Sequence, residues 1–222
     1  MARLVSGRQA CSIHYPASRL IRMMNNRPNT PQGWRDLLSD KVLSRPDLAP
    51  AGLRASSVLV PVIIDDARPY LILTKRTAHL PNHAGQICFP GGKIDQGESV
   101  MDAALRESEE EIGLKPDQVE PLGYLPGVVA ADQFHIAPVL GVVKPSVQLS
   151  PDPGEVERIF ALPLDIALNH SYFREEPIHY QPTKKTWVID HHEEYIWGAT
   201  ARIIVQWHAA ITNPNPFIHN SV

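Results

Sequence analysis

The stretch GKIDQGESVMDAALRESEEEIGL, residues 92–114, decides how this chain is read. It holds seven acids (Asp95, Glu98, Asp102, Glu107, Glu109, Glu110, Glu111) against two bases, Lys93 and Arg106. Its spacing predicts a helix over 99–112. Ser99 supplies an N-cap and Asp102 sits at the capping-box distance, as a weaker partner than Glu. Gly113, followed by Lys115 and Pro116, gives the usual order of stop signals. Met101, Ala104, Leu105 and Ile112 form the apolar stripe. Glu107, Glu110 and Glu111 stand at i, i+3 and i+4, so they share a face. Like charges at that spacing repel by a few tenths of a kcal/mol per pair, and the C-terminal half of a helix disfavours anions. Either this is a solvated acidic face, or hard divalent cations such as Mg²⁺ or Mn²⁺ resolve the conflict.

Working outward, Val58–Ile64 and Tyr70–Thr74 read as a hairpin around the turn 65–69. Residues 77–86 read as a polar loop, and Ile87–Phe89 as a short strand stopped by Pro90-Gly91-Gly92. Beyond the helix, strands are expected at 122–125, 134–143, 187–190 and 195–197. A loop is expected at 127–133 and a closing helix at 200–210; Val156–Pro163 mixes an acidic start with an apolar end. Upstream, 25–32 reads as linker, with short helical pieces at 20–24 and 36–43. No internal repeat is present, and the alternation of strands and helices predicts a mixed α/β domain.

The whole chain is less eventful. It has 222 residues, 21 Lys+Arg against 24 Asp+Glu, a formal charge of −3 and 43% apolar residues. That length and composition suit a folded domain and argue against global disorder. Near-neutrality argues against a nucleic-acid coat but says nothing against a small anionic ligand. The 21 prolines are about twice the usual share and predict short elements joined by stiff turns. Two cysteines, Cys11 and Cys88, build no disulfide framework or zinc finger and favour a reducing compartment. No apolar run reaches the roughly 18 residues of a membrane span. Arg3, Arg8, Arg19, Arg22, Arg27 and Arg35 all precede the first acid, Asp36. That start reads as a solvated basic tail on a cytoplasmic protein or, alternatively, as a mitochondrial transit peptide.

With the residues placed, the 92–114 stretch resembles the Nudix box, G-x5-E-x7-R-E-U-x-E-E-x-G-U, where U is bulky and apolar. Gly92, Glu98, Arg106, Glu107, Glu110, Glu111, Gly113 and Leu114 fall on it. Seven fixed residues would coincide by chance on the order of 10⁻⁸ per window at average usage, which outweighs the solvated-face reading. Ser108 departs from the pattern, standing where an aliphatic residue is expected. The resemblance implies an α/β/α fold, a mixed sheet sandwiched between helices, and an enzyme that hydrolyses a diphosphate linked to a further group. It implies Glu107, Glu110, Glu111 and Glu98 as metal residues, with Gly92 and Gly91 letting backbone approach closely. Arg106 would hold the carboxylates in place. A base is also needed; Glu110 belongs to the catalytic set, and Glu155 is the candidate outside the box, its other reading being a turn-edge surface acid.

Upstream, LTKRTAHLPNHAGQICFPGG, residues 73–92, is similar to the extra motif of the coenzyme A diphosphatase branch, approximately L-L-T-x-R-S-x3-R-x3-G-x3-F-P-G-G. Leu73, Thr74, Arg76, Gly85, Phe89, Pro90, Gly91 and Gly92 match. Thr77 replaces Ser, and Pro81 replaces the second Arg, removing a contact worth about 1.5–3 kcal/mol if it grips a phosphate. Lys75, Arg76 and His83 are the donors left nearby. Leu122–Pro126, Pro138-Val139, Glu155-Val156 with Phe160, Pro163-Leu164 and Trp197–Ala201 also look like that branch, so the likeness spans roughly 35–210. It implies cleavage of coenzyme A, or an acyl or oxidised form, to 3′,5′-ADP and 4′-phosphopantetheine. Another nucleotide substrate (a dinucleoside polyphosphate, ADP-ribose or NADH) and a non-catalytic sensor remain the alternatives. The box keeps all its acids, against a sensor.

The expected organisation is a basic extension with lead-in helices over 1–56, a Nudix domain over 57–212 and a tail over 213–222. The partner is a small molecule, with neither nucleic acid nor membrane; a homodimer is compatible with the sequence. Tyr124, Phe134 and Trp197 either touch adenine or the pantetheine arm or are core residues. His191–Glu194 reads as a polar turn before a strand. Cys88 reads as an inert core residue.

Overall fold

A computed structural model describes residues 28–65, 68–131, 133–178, 181–191 and 194–212. The expected helix at 20–24, the basic start as far as Arg27 and the tail lie outside them.

In chain order the elements are α1 (Pro31–Ser39), β1 (Arg54–Asp65), β2 (Arg68–Arg76), β3 (Ile87–Cys88), β4 (Gly91–Lys93) and α2 (Val100–Ile112). There follow β5 (Val119–Tyr124), β6 (Val128–Ala130), β7 (Phe134–Val143), β8 (Val156–Pro163) and α3 (Leu164–Ala167). The chain closes with β9 (Phe173–Ile178), β10 (Gln181–His191), β11 (Glu194–Trp197) and α4 (Gly198–Thr212). Strands β1–β8 form one sheet and β9–β10–β11 an antiparallel second one. The first sheet is mixed because β1 pairs β7 in parallel and every other pairing is antiparallel.

Alternation along the strands divides the core in two. Leu59 and Ile63 of β1, Ile72 of β2 and Ala137, Val139 and Val143 of β7 pack under α2, meeting Val100, Ala104 and Ile112. Burying each of the large aliphatics is worth about 1.5–3 kcal/mol. Val60, Val62 and Ile64, Leu71 and Leu73, and Leu140 and Val142 face the other way, onto α1, α3, α4 and the second sheet. The α/β/α sandwich expected from the likeness is therefore present, thickened on one side by β9–β11.

One feature of the sheet positions everything that follows. The outer edge of β1 pairs β4 over Ser56–Val58 and β2 over Val62–Asp65. Strand β2 in turn leaves β1 and pairs β3 at Thr74 and Lys75. The two long strands fork, and segment 87–93 wedges the fork, with Leu59 N–H donating to Pro90 O at 2.9 Å. Pro61, which has no N–H to offer, sits at the fork where a ladder donor is least needed.

Several expectations need correcting. The strand before Pro90 does stop, at Cys88, but Gly91 and Gly92 are not only a stop: pairing resumes there as β4, against β1. The loop at 127–133 contains β6, and 156–163 is strand throughout. The linker reading of 25–32 fails at its end, since Thr30 caps α1 through Gly33 N and Pro31 takes the first turn, where its missing N–H costs nothing. Trp34 and Leu38 then enter the larger core, and β1 begins at Arg54. Strand β9 was not expected, because FREEPI is apolar only at its two ends, with a charged middle, a proline and no alternation.

Candidate active site

Helix α2 is anchored at both ends. Ser99 Oγ accepts from Asp102 N–H at 3.1 Å, and the Ser99 hydroxyl donates to Asp102 Oδ2 at 2.6 Å in place of the Ser99 backbone N–H, so half of the capping box forms. Gly113 adopts the left-handed conformation, φ 68°, that ends the helix with least strain. Ser108 is fully buried, its hydroxyl donating to Ala104 O at 2.6 Å, which satisfies the polar group where an aliphatic side chain was expected.

Arg106 is the hub on the solvent side. It donates to both oxygens of Glu98 (2.8 and 3.1 Å), to Glu107 at 3.0 Å, to Glu110 at 3.2 Å and to Lys93 O at 3.1 Å. Glu98 also accepts Asp95 N–H, and the Arg106 contact holds its carboxyl below the ordinary range. The arginine thus stitches loop, strand β4 and helix together by charge-assisted bonds.

The inner acids have different surroundings. Glu111 is 4% exposed; its Oε2 accepts Gly91 N–H at 3.3 Å and its Oε1 lies 3.5 Å from Arg76 Nη1. Burial outweighs these contacts and pushes its carboxyl up to about 8, with Glu155 and Glu107 adding repulsion. Glu107, 18% exposed, is also raised by burial, against the pull of Arg106. Strand β4 makes the opposite wall. A Cβ on Gly92 would stand 2.4 Å from Glu107 Oε1 and displace that carboxylate, and one on Gly91 would stand 2.3 Å from Ser57 O, so glycine keeps β4 close both to the acid and to β1.

Arg76, near the far end of β2, closes the site. Its Nη2 lies 3.6 Å from Glu155 Oε2, and Glu155 is half-exposed on the loop before β8. Sequence reasoning grouped Lys75, Arg76 and His83, but the structure separates them. Thr74 and Arg76 face α2, whereas Lys75 follows Leu71 and Leu73 onto the opposite face and pairs Glu157 at 2.8 Å. His83 is exposed in the 77–86 loop, its Nδ1 2.9 Å from Gln86 Oε1.

On that opposite face lies an open cleft of about 350 Å³, lined by Lys75, Gln86, Arg158, Glu194, Tyr195 and Trp197 among others. Arg158 pairs Glu194 and lies over Phe160, 5.2 Å from the ring centre. Of the three aromatics singled out in the sequence, only Trp197 reaches the cleft; Tyr124 packs on the smaller core and Phe134 faces the Arg54 guanidinium. Arg158 and Tyr195 had no local sequence signal; strand pairing brings them there. Of the polar turn expected at 191–194, His191 instead closes β10 and Glu194 opens β11, and 192–193 lie outside the described residues.

Could these residues hold a divalent ion? Among the described residues no three His, Cys, Asp or Glu side chains converge into a ready cage. Two crowded carboxylates, one of them buried, beside a glycine-thin wall are a different design. They suit a hard ion that takes one or two carboxylates and leaves its other positions to water and substrate. Glu98 and Glu110 are held by Arg106, Glu110 being 60% exposed.

Residues 53–185 match the model of the NUDIX domain. The chain is 38% identical over 173 residues to a protein of Citrobacter koseri described as an uncharacterized Nudix hydrolase, NudL; the match covers 76% of this chain and 90% of that protein. A NudL protein of Escherichia coli O7:K1 matches to the same extent. Among solved structures, a Caenorhabditis elegans Ap4A hydrolase binary complex superposes with TM-score 0.44 at 20% identity, over 52% of this chain and 84% of that one. The NUDIX domain of Shewanella oneidensis NrtR complexed with ADP ribose does so with TM-score 0.39 at 20% identity, over 65% and 82%.

Proposed function

The chain belongs to the Nudix hydrolase family, whose members use divalent metal ions to cleave small diphosphate substrates, and on that premise we propose that it hydrolyses coenzyme A or its acyl or oxidised derivatives. The products would be 3′,5′-ADP and the matching 4′-phosphopantetheine. The observation that carries this reading is the 73–92 run, which supplies Arg76 beside Glu111, Gly91 and Gly92 of the wall, and one rim of the cleft.

Glu107 and Glu111 are the principal metal residues, with Glu110 and Glu98 behind them and Gly92 leaving the room. When bound, Mg²⁺ or Mn²⁺ neutralises diphosphate charge and makes water a better nucleophile. Arg106 fixes the acids, so their oxygens need little reorganisation. Glu155, on the loop facing Glu111 and Glu107, is the favoured proton acceptor; Glu110, more exposed and tied to Arg106, is the second candidate. Arg76 meets a phosphate and Gly91 lies beside it. Lys75 and the His83 loop act from the cleft, where Trp197 and Tyr195 offer faces to the rest of the substrate. The reading takes the enzyme to be cytoplasmic.

The test is a panel of diphosphates with purified protein in Mg²⁺ and Mn²⁺, products being separated by chromatography. Coenzyme A forms should turn over fastest. ADP-ribose, NADH or a diadenosine polyphosphate turning over far faster would refute the branch.

A further inference from the structure

Arg76 is badly placed for a residue whose only task is to hold carboxylates. Its two ion pairs are long, 3.5 Å to Glu111 and 3.6 Å to Glu155. Its Nε is buried with no hydrogen-bond partner among the described residues. Cys88 is close by, but its thiol is pushed up to about 11 by burial and supplies no countercharge. Arg106 by contrast makes five bonds between 2.8 and 3.2 Å. A guanidinium offers five donors in a rigid fork; here most of that capacity is idle. What keeps it in place is charge: five acids (Glu98, Glu107, Glu110, Glu111, Glu155) face two cations, Arg76 and Arg106, and only Arg76 reaches Glu111.

We propose that Arg76 is an exchangeable counter-ion: it holds Glu111 and Glu155 while no metal is bound, and surrenders them when a divalent cation takes those oxygens. Two like charges cannot share so small and poorly solvated a space cheaply, so cation and guanidinium compete for Glu111. The displaced fork, with its idle Nε, then becomes available to the substrate's diphosphate, a better geometric match. Metal loading and anion grip are coupled through this one side chain, which favours metal before substrate. The inference rests on Glu111 being a metal residue and assigns Arg76 a second state.

Mn²⁺ binding to the full chain without substrate, followed by calorimetry, tests it, with thermal melts in EDTA alongside. Losing two long ion pairs, one to the buried Glu111 and one to the half-exposed Glu155, corresponds to about three- to tenfold in affinity. Arg76→Gln should therefore bind Mn²⁺ about three- to tenfold more tightly and melt lower in EDTA, whereas Arg76→Lys, which keeps the charge, stays near the parent. Arg76→Met repeats the measurement with an apolar side chain of similar length, so a folding defect in one variant does not decide the matter. Unchanged or weaker Mn²⁺ binding in the charge-free variants overturns the proposal. Glu111→Gln separates the two levels. If it binds Mn²⁺ like the parent, the metal reading fails and this inference with it. If it loses Mn²⁺ while Arg76→Gln gains nothing, only the counter-ion role fails.

Discussion

Arg106 on α2 gathers Glu98, Glu107 and Glu110; Arg174 on β9 gathers Glu176 and Asp190. By composition the two clusters look alike. They differ in surroundings. Around Arg174 all three side chains are about a third to a half exposed, at 41%, 34% and 50%, so water screens them. Tyr195 donates its hydroxyl to Glu176 at 2.6 Å, which leaves that acid below its ordinary range. Around Arg106 the acids back onto the buried Glu111, and a glycine wall leaves no side chain to fill the gap. A cluster of charge becomes a candidate site when its neutralisation is incomplete and its solvent is removed, not when acids are merely numerous.

The sharpest way to break this contrast is to neutralise one acid in each region. Glu111→Gln should lower diphosphate hydrolysis by roughly 100-fold or more, beyond the ten- to hundredfold typical of outer-shell changes at metal sites. It should also melt no lower in EDTA, since burial already drives that carboxyl toward its neutral form, which Gln closely matches in shape. Asp190→Asn, its counterpart on β10, should leave kcat and KM within about twofold; a large loss would erase the distinction.

A second contrast is in acid. Behind β9, His208 of α4 is 5% exposed, edge-on to Phe173 and facing His170 with ring centres 6.4 Å apart. Burial, helped by His170, pulls its imidazole down to about 4. The unfolded chain takes up that proton below its ordinary value near 6.5, whereas the folded one resists until about 4. Stability is therefore full above pH 6.5 and is lost as pH falls from 6.5 to 4, by on the order of 3 kcal/mol. Urea midpoints against pH should show this slope in the parent and a flatter one in His208→Gln.

Gly92→Ala tests the wall. The added methyl must push Glu107 or β4 aside, costing about 1–3 kcal/mol of stability and weakening Mn²⁺ binding in calorimetry; tight binding with unchanged melting would show that the wall is not needed. Smallest of all, Arg174→Ala should shift stability by no more than about 1 kcal/mol, and less in high salt.

Much of α2 was legible because its signals are local: cap, stripe and stop all lie within a few residues of one another. The same holds for β7, found with the expected limits. What was missed depends on pairing between distant segments. Nothing in Gly91–Lys93 announces a strand, since β4 exists only because β1 and β2 diverge to admit it. The grouping of Lys75 with Arg76 could have been corrected from sequence, because neighbours on a strand point to opposite faces. The cleft at Arg158, Tyr195 and Trp197 could not have been, as β8 and β11 reach it from far along the chain.

The parallel pairing of β1 with β7 has a kinetic consequence. Arg54 and Phe134 are register partners roughly 80 residues apart, a long loop to close before the contact repays it. Helix α2 packs on a surface to which Ala137, Val139 and Val143 contribute. A nascent chain that has emerged only as far as Gln133 would already carry the whole acidic motif and Leu59, Ile63 and Ile72 beneath it, yet lack the part of the floor that β7 supplies. The full seating of the acid cluster is thus completed only late in synthesis, when β7 adds its share of the surface under α2.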